Sequence, residues 1–140
     1  MLFELIYRSE ADSNVSDDDL LNILSTAREF NGQHNITGCL LYNDRHFVQI
    51  LEGDFGLLNE LYGRIREDKR HNNIITLHMK EIESRCFPDW TMAFKALEEE
   101  DMADIKNALG ISRFKELNTV DGESPLSKQL FWMASQSIIG

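Results

Sequence analysis

Phe47-Val48-Gln49-Ile50-Leu51-Glu52-Gly53 is the stretch that decides the fold. Phe47, Val48, Ile50 and Leu51 favour a strand, and Gly53-Asp54 supplies a turn before a helical pattern begins at Leu57. A glutamine therefore sits in the middle of a buried strand. Its amide carries two donors and an acceptor with two lone pairs, and burying them unpaired costs roughly 1–3 kcal/mol. A neighbouring strand or an ordered water would satisfy it; the rest of the chain suggests a more specific partner.

Working outward, Asn43-Asp44-Arg45 links residues 36–42 to 46–52 as a β-hairpin, which puts Gln49 on an antiparallel strand. Residues 2–8 form a first strand, apolar apart from Glu4, Tyr7 and Arg8, and such a run suits the interior of a sheet. By alternation Tyr7 shares a face with Phe3 and Leu5, while Leu2 and Ile6 point the other way. A buried phenol needs a hydrogen-bond partner. Ser16-Asp17-Asp18-Asp19 opens a helix whose apolar stripe is Leu20, Ile23, Leu24, Ala27 and Phe30, and Asn31-Gly32 is expected to end it. A second helix spans about 55–68, with Leu57, Leu58, Leu61, Tyr62 and Ile65 on its buried face. Further strands follow over 74–83 and, beyond the loop at Pro88, from Trp90 to Phe94.

The order predicts an α+β, ferredoxin-like β-α-β-β-α-β sheet with an extra strand and both helices on one face. Residues 98–109 and 124–138 are helical by pattern. Leu126, Leu130 and Met133, with Phe131 and Trp132 beside them, are expected to cover the opposite face, so that C-terminal helices cap it. The organisation anticipated is a binding domain over 1–97 and a helical extension over 98–140 packing on that same domain.

At 140 residues, 42% apolar and 27% charged, the chain suits one globular domain, and no apolar run approaches the ~18–20 residues of a membrane span. The segment Met1 to Tyr7 lacks the basic leader and cleavage site of a signal peptide. Cys39 and Cys86 lack CxxC spacing, and His34, His46, His71 and His78 lack metal-ligand spacing. A soluble, cytoplasmic protein with reduced thiols and no metal is expected. The net charge of −10 argues against nucleic-acid binding. Positive charge is nevertheless concentrated, with four of the fourteen Lys and Arg residues between Arg64 and Arg70 and His71 directly after. That tract suits either a helix end complementing its dipole or a seat for a small anion.

Five pieces together, Tyr7-Arg8-Ser9, Asn31 before Ile36-Thr37-Gly38, Phe47-x-Gln49-x-Leu51-Glu52-Gly53, Asp68-Lys69-Arg70-His71 and Trp90-x-Met92, resemble the BLUF family of flavin-binding blue-light sensors over roughly residues 1–97. Two departures are Gly32 after Asn31 and Phe30 where other members carry histidine. The resemblance implies a noncovalent flavin, FAD with FMN as the alternative, held between the two helices. Asn31 and Gln49 would meet its ring edge and Tyr7 would hydrogen-bond to Gln49. Ile23, Ala27, Leu40, Phe47 and Leu51 would pack on the ring, and Arg70, His71 and Lys69 would approach the phosphates, with Asp68 organising the arginine or meeting the ribityl chain. Amides suit such an edge because they answer both donors and acceptors. By the same analogy Tyr7 gives up an electron and a proton through Gln49 in the light, the Gln49 amide rotates or tautomerises, and Met92 or Trp90 senses the change. Absorption shifts to the red and no substrate is converted. A downstream signalling protein and a homo-oligomer are the partners implied.

Two other classes compete. An acylphosphatase-like hydrolase on this fold needs a glycine-rich anion loop after the first strand, where Ser9-Glu10-Ala11-Asp12 is acidic. A metabolite-binding regulatory module without photochemistry would purify without flavin.

Overall fold

The computed structural model describes residues 1–109 and 113–114. Along the chain run β1 (Leu2–Ala11), α1 (Asp17–Gln33), β2 (Thr37–Asn43), β3 (His46–Asp54), α2 (Phe55–Glu67), β4 (His71–Glu81), β5 (Ala93–Ala96) and α3 (Glu99–Leu109). The strands form one sheet in the order β4-β1-β3-β2-β5. The first four are antiparallel to their neighbours in the ferredoxin-like arrangement, and the extra strand β5 joins β2 in parallel. β1 and β3, the two strands that carry Tyr7 and Gln49, are both interior.

Strand alternation separates two cores. Leu5, Tyr7, Leu40, Phe47 and Leu51 cluster with Leu24 of α1 and with Leu58 and Tyr62 of α2, so both helices lie on this face. Ile6, Cys39, Leu41, Val48, Ile50 and Leu77 face the other way, against Phe87, Leu97, Met102 and Ile105 of α3, and Phe114. Part of the second face is thus covered by α3. The expected cover at Leu126, Leu130, Phe131, Trp132 and Met133 lies outside the described residues, as does the helix expected over 124–138.

Several boundaries differ from expectation: β1 runs on to Ala11 rather than ending at residue 8, β4 spans His71–Glu81 rather than 74–83, and three others have a local cause. Helix α1 continues through Gly32 to Gln33, and the left-handed residue beyond it is Asn35, at φ 54°. Asparagine tolerates that conformation, and the Asn31 carbonyl accepts from both His34 N–H and Ile36 N–H to close the turn. The hairpin loop is two residues, Asp44 at φ 47° and Arg45 at φ 64°, the paired left-handed values of a type I′ turn; Asn43 belongs to β2. The last strand begins at Ala93 rather than Trp90. The carbonyls of Trp90, Thr91 and Met92 are instead engaged by Gly38 N–H, Asn31 Nδ2 and Arg28 Nε at 3.1, 2.7 and 3.0 Å, so these residues form a pinned loop.

Gly38 is required where it stands. A Cβ there would lie 2.1 Å from the Ile50 carbonyl oxygen, so only glycine lets β2 approach β3 this closely.

A polar cluster is buried on the α3 side of the sheet. Glu52, fully buried, accepts from Thr37 Oγ1 and Phe87 N–H at 3.0 Å each and from Cys86 N–H at 2.5 Å. Arg85 adds hydrogen bonds to Thr37 Oγ1, to the Glu52 carbonyl and to the Asn35 carbonyl. Glu52 thereby ties the loop before Trp90 to the middle of the sheet. Glu4, its cross-strand neighbour, lies 3.1 Å from His78 Nε2. Burial, with the Glu52 charge adding to it, pushes the Cys39 thiol up to about 12.

Candidate functional site

Between α1 and α2, over the sheet, lies a cavity of about 180 Å³. Helix α1 supplies Ile23, Thr26, Ala27, Phe30 and Asn31, which recur at three- and four-residue spacing and so share one side of the helix. Helix α2 supplies Leu61, Arg64 and Ile65 by the same rule, and the sheet supplies Tyr7, Leu40, Phe47, Gln49 and Leu51. Asp68, Arg70 and His71, at the exit of α2, complete the wall.

Register brings the central pair together. Tyr7 on β1 stands directly opposite Gln49 on β3, and Leu40 on β2 flanks Gln49 from the other side. The pairing of β1 with β4 shifts register between Ile6 and Tyr7, and such an irregularity re-aims the side chain beside it. The Tyr7 hydroxyl donates to Gln49 Oε1, and Gln49 Nε2 donates to the Met92 sulfur at 3.3 Å. Burial, followed by the nearby Tyr62 and Asp68, pushes the Tyr7 pKa well above the usual phenol value. Tyr7 is therefore a neutral donor at physiological pH. A phenol, an amide and a thioether form one chain from β1 through β3 to the residue before β5.

Asn31 provides a second polar edge. It is 1% exposed, its Nδ2 donates to the Thr91 carbonyl, and its Oδ1 is buried without a hydrogen-bond partner. Such an orphan acceptor in a pocket wall is costly, and a ligand N–H is what would satisfy it. The walls fit a planar heterocycle: apolar side chains above and below, and an edge with both donors and acceptors.

The mouth is cationic. Arg70 Nε and Nη2 donate to the Asp68 carboxylate at 2.6–3.0 Å, and Arg64 lies 5.2 Å from the Phe30 ring centroid. The Arg70 hydrogen bond holds the Asp68 carboxyl below the usual range, and Asp68 raises Arg70 in turn. His71 is braced by Ile65, whose carbonyl its Nε2 meets at 2.5 Å, and by Ser9 Oγ at 2.9 Å from Nδ1.

Of the residues named from sequence, Tyr7, Ile23, Ala27, Asn31, Leu40, Phe47, Gln49, Leu51, Asp68, Arg70 and His71 line this cavity. Lys69 lies along an adjacent depression with Arg66, Glu67 and Asn72. Met92 is buried against Gln49, whereas Trp90 is 38% exposed. Phe30, Leu61 and Ile65, which the sequence places on the helical stripes, Arg64 of the basic tract, and Thr26, which it does not mark, also line the cavity. The spacing from Ile23 to Asn31 and from Leu61 to Ile65 carries them, and Thr26 is masked by its polarity. A grouping of metal-ligating types, Glu4, Glu52 and Cys86, has its ligand atoms within 4.8 Å on the opposite face, where the Glu52 oxygens already accept three hydrogen bonds.

Fold and pocket together define a ferredoxin-like domain with an apolar cleft edged by the amides of Asn31 and Gln49. The family model described as BLUF, sensors of blue-light using FAD, matches residues 2–93, and the chain belongs to that family. Photoactivated adenylate cyclase subunit beta of Euglena longa is 44% identical over 92 residues, 65% of this chain and 11% of that protein. The blue light- and temperature-regulated antirepressor BluF of Escherichia coli (strain K12) is 33% identical over 118 residues, 82% of this chain and 29% of that protein. Among solved structures, the dark-state structure of the BLUF protein BlrB superposes with a TM-score of 0.77 at 30% identity, covering 96% of each chain. The chain thus spans about a tenth of the length of the cyclase relatives. Among the described residues, no helix is long and apolar enough to cross a membrane.

Proposed function

We propose that the cavity between α1 and α2 holds a flavin noncovalently and that Tyr7 and Gln49 convert blue light into a rearranged hydrogen-bond chain ending at Met92. The observation that carries this reading is the Tyr7-Gln49-Met92 chain in the wall of a pocket whose Asn31 Oδ1 has no partner. Bound flavin supplies light absorption and a transient electron acceptor. Tyr7, neutral and buried, would be the electron donor, its hydroxyl proton would pass along the hydrogen bond through Gln49, and both electron and proton would return to Tyr7 once the amide has turned, leaving Gln49 Oε1 unprotonated. Rotation exchanges the oxygen and nitrogen of the Gln49 amide, so Oε1 replaces Nε2 opposite the Met92 sulfur. A thioether accepts hydrogen bonds but cannot donate, so the Gln49–Met92 bond breaks. No covalent adduct is required, and Cys39, buried with its thiol pushed up to about 12, is poorly suited to one.

FAD is the flavin proposed, FMN the alternative, with the phosphates at the Arg64 and Arg70 end. The output is proposed to reach an effector domain or a partner protein, with homo-oligomer contacts beside α3, and residues 98–140 are proposed to act as an extension of the 1–97 domain. Absorption spectra of purified protein before and after blue light test the reading: flavin released on denaturation and a reversible red shift are expected, and colourless protein that cannot be reconstituted would overturn it.

Arg70→Ala tests the orientation. One charge-assisted hydrogen bond is worth roughly 1.5–3 kcal/mol, so FMN or FAD should weaken by about ten- to a hundredfold while riboflavin changes little. Titration of apoprotein with the three flavins measures this, and equal weakening of all three would remove the phosphates from the Arg70 end.

A further inference from the structure

We infer that Arg28 is a positioning residue of this switch, clamping the backbone of Met92 to helix α1 so that a change at Gln49 passes across the sheet to α3 rather than being absorbed in the loop. The inference rests on the function proposed above, and three observations carry it. Arg28 Nε donates to the Met92 carbonyl at 3.0 Å from a residue 64 positions away, although Arg28 does not line the cavity. Asn31, one turn further along α1, holds the preceding carbonyl, Thr91, and Gly38 N–H of β2 holds that of Trp90. Three consecutive carbonyls are therefore fixed by α1 and β2, while the Met92 side chain is held by Gln49.

The third observation is the boundary between the two cores. Met92 belongs to the cluster under α1 and α2, and Ala93 belongs to the cluster that contains Met102 and Ile105 of α3. One peptide bond joins the pocket face to the α3 face. When Gln49 presents an acceptor to the Met92 sulfur, that side chain must leave its position. With the carbonyl clamped, the loop cannot relax by swinging as a whole, and the displacement is delivered to Ala93 and β5. Without the clamp, the Met92 peptide is free to turn and absorb it, although Gly38 and Asn31 still hold the carbonyls of Trp90 and Thr91. Arg28 is exposed, so its removal leaves no buried charge behind.

The test uses the flavin-loaded full chain and its Arg28→Ala and Arg28→Lys variants, measuring the light-induced red shift and the light-minus-dark difference in amide hydrogen exchange over residues 93–109. Arg28→Ala is expected to keep the wild-type red shift, because Tyr7, Gln49 and the cavity are untouched. The exchange difference should fall by about tenfold or more, the scale of one lost charge-assisted hydrogen bond. Arg28→Lys, whose ammonium still reaches as a donor, should restore most of it. The inference is overturned if Arg28→Ala keeps the full exchange difference, if it loses the red shift, if lysine restores nothing, or if wild-type protein shifts to the red with no exchange difference over 93–109. A wild-type protein that binds flavin but shows no red shift defeats the proposed function itself, which is a separate result.

Discussion

Gln49→Leu is expected to bind flavin and show no light-induced red shift, and Tyr7→Phe to do the same for a different reason. Leucine matches glutamine in size and keeps the strand's apolar packing, but it removes the group that accepts from the Tyr7 hydroxyl and donates to Met92. No amide remains to turn over. Tyr7→Phe keeps the ring against Tyr62 at 5.4 Å and the cavity wall intact, but it removes the hydroxyl that carries both the proton and most of the donor character. Binding should weaken by no more than about tenfold in either variant, because most of the contact is apolar and one neutral hydrogen bond contributes ~0.5–1.5 kcal/mol. The red shift should vanish in both. Difference spectra under saturating blue light decide the matter, and a wild-type shift in Gln49→Leu would refute the amide mechanism while leaving flavin binding intact. Met92→Leu separates the two ends of the chain: it removes only the sulfur acceptor, so the red shift should survive it.

Much of this arrangement is legible in the residues because it depends on period and parity. Alternation along β1 and β3 puts Tyr7, Phe47, Gln49 and Leu51 on the helix-covered face and Ile6, Val48 and Ile50 on the other, as the two cores show. The helical stripes place Ile23, Ala27, Leu61 and Ile65 toward that same face. What alternation cannot supply is pairing at a distance. The registry of Tyr7 with Gln49, 42 residues apart, follows from the sheet order. The loop at Trp90 to Met92 reads locally as a strand because its residues have strand character, yet its carbonyls are claimed by Gly38, Asn31 and Arg28 before a ladder can form. Gly32 reads as a helix stop for the reason any glycine does, whereas the stop falls at Asn35, whose tolerance of positive φ is less visible. Arg28 shows no signal at all in the sequence, being one more exposed cation on a helix.

Glu52 reads from sequence as a polar residue closing a strand, but the structure makes its replacement the costliest one expected outside the cavity. Its carboxylate is fully buried and accepts three hydrogen bonds, two from the backbone of Cys86 and Phe87 and one from Thr37. Glu52→Ala takes the acceptor from all three, while Arg85 still bonds the backbone carbonyl at position 52 and Thr37. Each buried donor left without its acceptor costs about 1–3 kcal/mol, so the three together take a large part of the ~5–15 kcal/mol that holds a domain folded. The melting temperature should fall by roughly 10–20 °C. Glu52→Gln should lose about half as much, because its amide oxygen still accepts from Thr37 and Phe87 while its NH₂ meets the Cys86 N–H donor to donor. Thermal unfolding of the flavin-free chains gives the comparison without any contribution from ligand binding. If Glu52→Ala melts within about 2 °C of wild type, the loop at 85–87 is anchored by Arg85 and by the packing of Phe87 alone. If it melts as expected, the same carboxylate that stabilises the sheet also fixes the entry to Trp90, Thr91 and Met92, and the loop pinned by Arg28 and Asn31 has its other end held by Glu52.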